Sequence, residues 1–240
     1  MSEGTASPAQ GKPWERPPGT LSARRILGLL PAALRQMRLR RVSEFTGAPA
    51  PDVARWVQDY SREAGWGDWG PDLELYLLVR WRRPEHVVET GVNRGRSTTA
   101  ILRALDHDGH GRLTSIDLPT TDPVGRVNAD GAYDSASVRP GMTGCEVPEY
   151  LRGRWTLILG DSRRALPSVG DFDFFFHDSD HSYQHQRWEY SVALTRLPSG
   201  GVLASDDVDW TPAFRELTRR MPRRTLWPFP AAHRGAVVVP

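Results

Sequence analysis

Two apolar runs in this chain end abruptly in carboxylates. Phe174-Phe175-Phe176 leads into His177-Asp178-Ser179-Asp180-His181-Ser182-Tyr183, and Leu203-Ala204-Ser205 leads into Asp206-Asp207-Val208-Asp209-Trp210. Each reads as a buried strand that stops at a polar edge. In an open α/β sheet, ligands sit outside the carboxyl ends of the strands, so these acids are expected to converge on one site. Crowded carboxylates repel one another, and a divalent cation is the usual remedy; the alternative is that the acids cap helices or face solvent. His181 is the best-suited general base. Its ordinary pKa of about 6.5 leaves it neutral at physiological pH and able to accept a proton from a hydroxyl. Asp180 is next in line for that proton. His177 and His185 have the commoner fate of packed, hydrogen-bonded histidines open to them.

A second constellation is His86-Val87-Val88-Glu89-Thr90-Gly91-Val92-Asn93-Arg94-Gly95-Arg96-Ser97. A strand meets an acid, then a glycine-punctuated turn, then a helix. Gly91 and Gly95 let backbone approach a ligand, and the helix opening near Gly95 and Ser97 offers unpaired N–H groups and the positive end of its dipole to an anionic group. The spacing departs from the Gly-x-Gly-x-x-Gly of dinucleotide binders, because Asn93 stands where the middle glycine would be. Asp117 ends the next strand, Leu113-Thr114-Ser115-Ile116, where a carboxylate accepts hydrogen bonds from ribose hydroxyls. Leu159-Gly160-Asp161-Ser162 is a third strand end turning into a helix, and Asp161 also suits the N-cap of that helix.

These residues need a parallel sheet behind them. After Pro84, strands at His86–Thr90, Leu113–Asp117, Thr156–Leu159, Phe172–His177 and Gly201–Ser205 alternate with helices, notably Ser97–Leu105, Ser182–Leu194 and Pro212–Arg219, as crossover connections require. The runs Thr225–Trp227 and Gly235–Val239, joined by a short turn, must be antiparallel neighbours. Three regions are expected: a disordered tail over 1–20, a helical extension or lid over 21–83, and an α/β domain over 84–240. Helices are expected at Leu21 to Arg41, Pro51 to Glu63 and Pro71 to Trp81. Between the last two, Trp66 and Trp69 suit either a lid or a core plug. The long Gly, Asp, Pro and Ser-rich run from Pro119 to Leu151 is either an acceptor-holding loop or a disordered insertion.

Composition narrows the function class. With 240 residues, 39% of them hydrophobic and 25% charged, the chain can bury a sizeable core. A formal charge of only +2 argues against a general nucleic-acid binder, although arginines cluster at both ends, as in Arg24, Arg25, Arg40, Arg41, Arg219 and Arg220. Cys145 is the single cysteine, which rules out an intramolecular disulfide framework and suits a cytoplasmic location. The apolar stretch from Ile26 to Leu30 is cut by Pro31 and is too short for a signal core or a membrane span.

The glycine loop after Glu89, the acid at Asp117 and the five strands with a terminal hairpin resemble class I S-adenosylmethionine-dependent methyltransferases. The resemblance covers roughly residues 71–240. It implies an α/β, Rossmann-like fold with a mainly parallel seven-stranded sheet, and a cofactor site at Glu89, Gly91, Val92, Gly95, Ser97, Asp117, Asp161 and Ser162. The two acidic strand ends resemble the metal-dependent O-methyltransferases of the catechol and caffeoyl-CoA type, which implies Asp178, Asp206 and Asp207 as metal ligands. Asp207 stands where that family has Asn, and His181 where it has a lysine. Both are closer to the sugar O-methyltransferases of macrolide and aminocoumarin biosynthesis and to cephalosporin-hydroxylase-like proteins. An all-oxygen set suits Mg²⁺ or Mn²⁺. The implied activity is methyl transfer to a hydroxyl of a small molecule, a sugar or glycosylated natural product, with His181, Asp178 and Asp180 in the catalytic set. Methylation of a macromolecule, or cofactor or partner binding without catalysis, are the competing readings. A homo-oligomer is left open.

Overall fold

A computed structural model describes residues 40, 42–64, 72–119, 126–127, 133–134, 141–221, 225–226 and 233–240. The expected tail over 1–20, nearly all of the arginine-rich segment 21–41, Trp66 and Trp69, Trp227 and most of the run from 120 to 140 lie outside the described residues.

Helices α1 (Ala50–Ala64) and α2 (Leu73–Arg82) precede strand β1 (His86–Thr90), helix α3 (Arg96–Asp108) and strand β2 (Arg112–Asp117). A two-residue ladder, β3 (Arg126–Val127) with β4 (Tyr133–Asp134), stands apart from the main sheet. There follow β5 (Trp155–Leu159), α4 (Ser162–Ala165), β6 (Phe174–His177), α5 (Tyr183–Arg196), β7 (Val202–Ser205), α6 (Ala213–Arg220), β8 (Thr225–Leu226) and β9 (Gly235–Val238). The main sheet has seven strands in the order β5-β2-β1-β6-β7-β9-β8. All pairs are parallel up to β7, and β9 runs antiparallel to both β7 and β8. This is the expected Rossmann-like arrangement with its terminal hairpin.

Boundaries differ from expectation where side chains or glycines intervene. The expected strand from Phe172 begins at Phe174, because the Asp173 carboxylate accepts the backbone N–H groups of Glu85 and His86 at 3.3 and 3.1 Å and ends the incoming loop. Helix α3 continues past Leu105 to Asp108, where Gly109 in the left-handed region donates its N–H to the carbonyls of Asp106 and Leu105.

Because helices cover both faces, the central strands are apolar on both sides. Phe174 and Phe176 point to the cluster shared with α1, α2 and α3, together with Val87, Val202 and Ala204. Phe175 points the other way, with Val88, Leu203 and Val237, against α5 and α6. Helix α2 is buried along its length and shares the sheet's own core through Leu75, Tyr76 and Val79. Among the described residues no helix is long and apolar enough to cross a membrane.

Register then decides what meets at the carboxyl edge. Val88, Phe175, Leu203 and Val237 form one row across β1, β6, β7 and β9, and two rows on lie Thr90, His177, Ser205 and Gly235. The sheet turns polar there, and the residues immediately beyond are Gly91, Asp178, Asp206 and Arg234.

Candidate active site

Glu89 is fully buried near the carboxyl end of β1. Its carboxylate accepts Ser97 Oγ at 2.7 Å, Thr98 Oγ1 at 2.8 Å and Ser115 Oγ at 2.7 Å. Burial pushes the carboxyl up to about 7, against the pull of those three hydroxyls. Its direct partners are thus the first turn of α3 and the neighbouring strand, so it fixes the loop between them. The two loop glycines answer to close packing. A Cβ on Gly91, at φ 84°, would lie 1.9 Å from the Asp178 carbonyl oxygen, and one on Gly95, at φ 91°, 2.6 Å from Val147 Cγ2. The loop is therefore pressed onto the end of β6 on one side and onto the 144–147 turn on the other. Val92 buries its side chain, and Asp117 Oδ2 accepts the N–H groups of Val92 and Asn93 at 3.2 and 2.9 Å. Asp117 is expected to face a ribose; in the structure its Oδ2 fixes the loop at left-handed Asn93 (φ 51°).

The ends of β6 and β7 bring Asp178, His181, Asp206 and Asp207 together, as expected. His181 Nε2 lies 3.7 Å from both Asp178 Oδ1 and Asp207 Oδ2, and it is buried with no hydrogen-bond partner. Burial, and next the neighbouring His177, push the imidazole down to about 4, so it is neutral across the physiological range. The Trp210 ring, 61% exposed, packs beside the His181 ring at a centroid distance of 5.1 Å and a tilt of 55°. Burial and the Asp206 carboxylate push the Asp178 carboxyl well up, and the same two causes push Asp207 up to about 6.

The expected metal site does not form from these acids. Arg234 grips Asp206 in a fork, Nε to Oδ1 at 3.1 Å and Nη2 to Oδ2 at 3.2 Å, and its Nη2 also meets Asp72 Oδ1 at 2.5 Å. Both oxygens of one implied ligand are thereby committed to a guanidinium. Among the described residues, no three His, Cys, Asp or Glu side chains are placed to hold a metal ion. The carboxylates do not fit Mg²⁺ or Mn²⁺ as arranged.

Beneath this edge lies a network that no motif announced. Glu189 of α5 is fully buried and accepts Thr90 Oγ1 at 2.6 Å, His177 Nδ1 at 2.7 Å, His185 Nε2 at 2.8 Å and Ser179 Oγ at 3.0 Å. Burial works against its charge, but the hydrogen bonds and charge of the two histidines outweigh it and hold the carboxyl well below the usual range. Burial likewise disfavours charge on His185, yet Glu189 pushes that imidazole up. The available signal was His185 and Glu189 at i and i+4, one helical face carrying opposite charges. Arg234 and Asp72 had no such signal.

Two further site expectations resolve locally. Asp161 Oδ1 accepts Arg163 N–H at 2.9 Å and caps α4, while Ser162 is buried with its Oγ 3.1 Å from His185 Nε2. Asp180 Oδ1 accepts the N–H of Ser182 at 2.8 Å, so that oxygen serves the turn into α5.

The family described as a methyltransferase domain matches residues 88–208, which spans every residue above from Glu89 to Asp207. Among curated proteins none matches the chain. Solved structures similar to it include CalS11, a calicheamicin methyltransferase, at 17% identity and a TM-score of 0.51, with 88% of this chain and 94% of that one covered. An O-methyltransferase from Bacillus cereus in complex with SAH shares 20% identity at a TM-score of 0.49, covering 85% and 99% of the two chains. The O-methyltransferase TomG from Streptomyces achromogenes, involved in tomaymycin synthesis and solved in complex with SAM, shares 19% at 0.48, covering 78% and 89%. At these identities the likeness is one of fold.

Proposed function

The chain belongs to the methyltransferase-domain family, and from that premise we propose that it transfers the methyl group of S-adenosylmethionine to a hydroxyl of a small molecule, a sugar or glycosylated natural product. One observation carries the reading beyond the family: His181 presents a buried, neutral, unpartnered Nε2 at the carboxyl edge, directly beside the strand end on which the Gly91 loop rests.

In this reaction the acceptor oxygen forms a bond to the methyl carbon as the sulfonium–carbon bond breaks in line. His181 Nε2 takes the hydroxyl proton, and S-adenosylhomocysteine leaves. Asp207, 3.7 Å from Nε2, stabilises the imidazolium as it forms, with Asp178 at the same distance on the other side. The cofactor is assigned to the corner of Gly91, Val92, Gly95 and Ser97, with Asp117 toward the ribose and Asp161 and Ser162 toward the adenine. Glu89 holds that corner through Ser97 and Thr98. Asp206 has both carboxylate oxygens on Arg234. The single cysteine supports a cytoplasmic setting.

The test is calorimetric titration with S-adenosylmethionine, followed by labelled methyl transfer to a panel of sugars and aglycones. Saturable binding with label appearing in a hydroxylated acceptor is the expected result. Binding of NAD in its place would overturn the proposal, and label in protein or RNA alone would move the acceptor to a macromolecule.

A further inference from the structure

The carboxyl edge of the sheet holds a permanent cation of its own. Gly235 pairs with Ser205 across the antiparallel β7–β9 ladder, so the register sets Arg234 beside Asp206. The guanidinium lies over the Phe176 ring at 5.6 Å, and its side chain is only 11% exposed. From there it meets both oxygens of Asp206 and one oxygen of Asp72, a fully buried carboxylate whose other oxygen takes Arg96 Nε at 2.8 Å. One side chain thus takes both oxygens of one of the three acids that the sequence resemblance assigns to a divalent ion, at the edge where the other two also lie.

A guanidinium is an apt occupant of such a place. It stays charged at every working pH, and its planar fork matches a carboxylate edge. Magnesium or manganese would need oxygens that are now committed to nitrogen, and would have to expel a buried arginine or sit beside its charge. We propose that Arg234 is the resident cation of this site, standing in for the divalent ion, and that methyl transfer by this chain runs without added metal. A further consequence concerns the acceptor. With no metal to chelate two adjacent oxygens, a single hydroxyl within reach of His181 suffices, so acceptors lacking a vicinal diol are substrates. The catalytic half of this inference rests on the methyltransferase reading; the binding half does not.

The binding half is tested on the full chain with Mn²⁺ alone, by electron paramagnetic resonance. The expected result is that the spectrum of free Mn²⁺ is unchanged by the wild-type protein. A bound ion whose signal is lost in Asp206→Asn would overturn the proposal. The catalytic half compares turnover with and without EDTA, with the expectation of no change. Loss of turnover on chelation while S-adenosylmethionine still binds by calorimetry would also overturn it. Removing the cation in Arg234→Met should lower turnover by roughly 10²-fold, the scale of a misplaced catalytic constellation, and leave cofactor affinity intact. Wild-type turnover in that variant would count against the proposal. Should Arg234→Met not fold, Arg234→Lys keeps the charge without the fork and is expected to show partial turnover that EDTA does not change; turnover abolished by EDTA in both this variant and the wild type would overturn the proposal. If no preparation binds S-adenosylmethionine or methylates any acceptor, the parent reading fails and the Mn²⁺ result still stands on its own.

Discussion

Replacing Glu89 by Gln isolates the cost of keeping a carboxyl in the core. Glu89 is fully buried with three hydroxyls against its carboxylate, and burial outweighs them, pushing the carboxyl from 4.5 up to about 7. The sign follows from where the proton sits. Below pH 4.5 the folded and unfolded chains both carry the neutral acid, and its contribution to stability is complete. Above that the unfolded chain ionises first, so stability falls until the pH passes about 7, where the folded group has also ionised. The whole loss is about 3 kcal/mol, at about 1.4 kcal/mol for each pH unit separating the two states. Glu89→Gln imitates the neutral acid at every pH, and the hydroxyls of Ser97, Thr98 and Ser115 can rotate to suit its amide. Urea unfolding of both proteins at about pH 5 and about pH 8 should show the variant gaining about 2 to 3 kcal/mol on wild type between the two. Comparing the pair cancels the other titrating groups. A stability gap that does not change with pH would refute the reasoning, because Glu89 would then bind its proton equally in the folded and unfolded chains. Since the loop hangs from this residue through Ser97 and Thr98, cofactor affinity should survive the substitution.

Asp117→Ala should weaken S-adenosylmethionine binding by roughly 1.5–3 kcal/mol, the worth of a hydrogen bond to a charged acceptor, with the released N–H groups of Val92 and Asn93 adding to the loss; unchanged affinity by calorimetry would remove the ribose role. His181→Ala should lower turnover by roughly 10²- to 10⁴-fold with little effect on cofactor affinity. In the wild type, activity should persist as pH falls below the ordinary histidine range and fade only toward about 4, where the imidazole takes its own proton; an acid limb near the ordinary value would assign the base elsewhere, to Asp180 first. Glu189→Ala strips two imidazoles and two hydroxyls of their acceptor and should cost roughly 3–5 kcal/mol in chemical unfolding. The carboxylate, with its lowered pKa, contributes stability above 4.5 that is lost in stronger acid, while His185, with its raised pKa, contributes stability below 6.5 that is lost as pH rises through its folded value. The gap from wild type should therefore be widest between those two values.

The sheet was legible because burial on both faces leaves a signature in the chain itself. Phe174-Phe175-Phe176 cannot alternate with polar residues when one ring must face α3 and the next α5. Strand ends were legible too, since Glu89, Asp117, Asp178 and Asp206 mark where apolar runs stop. What the chain does not display is which partner each of those acids takes. Gly91 looks the same whether it admits a ligand or, as the structure has it, the Asp178 carbonyl. Asp206 and Asp207 look like a metal pair until the β7–β9 register sets Arg234 against the first of them.

That difference has a physical origin. Local spacing specifies what lies along one strand or one helical face, whereas the polar edge is assembled one residue per strand from segments far apart in sequence. Thr90, His177, Ser205 and Gly235 share a row only through three separate ladders, and Asp72 reaches Arg234 from the approach to α2. Each such group loses its hydration on burial, which favours places where neighbouring elements supply a partner. Glu189 meets this condition with two histidines and two hydroxyls, and Asp206 with one arginine. His181 Nε2 stands apart from both: it is buried, flanked by carboxylates at 3.7 Å and left without a hydrogen bond. His177 Nε2 is buried without a partner as well, but it lies within β6, whereas His181 Nε2 lies beyond the strand end between two carboxylates, where an acceptor hydroxyl would complete its hydrogen bond.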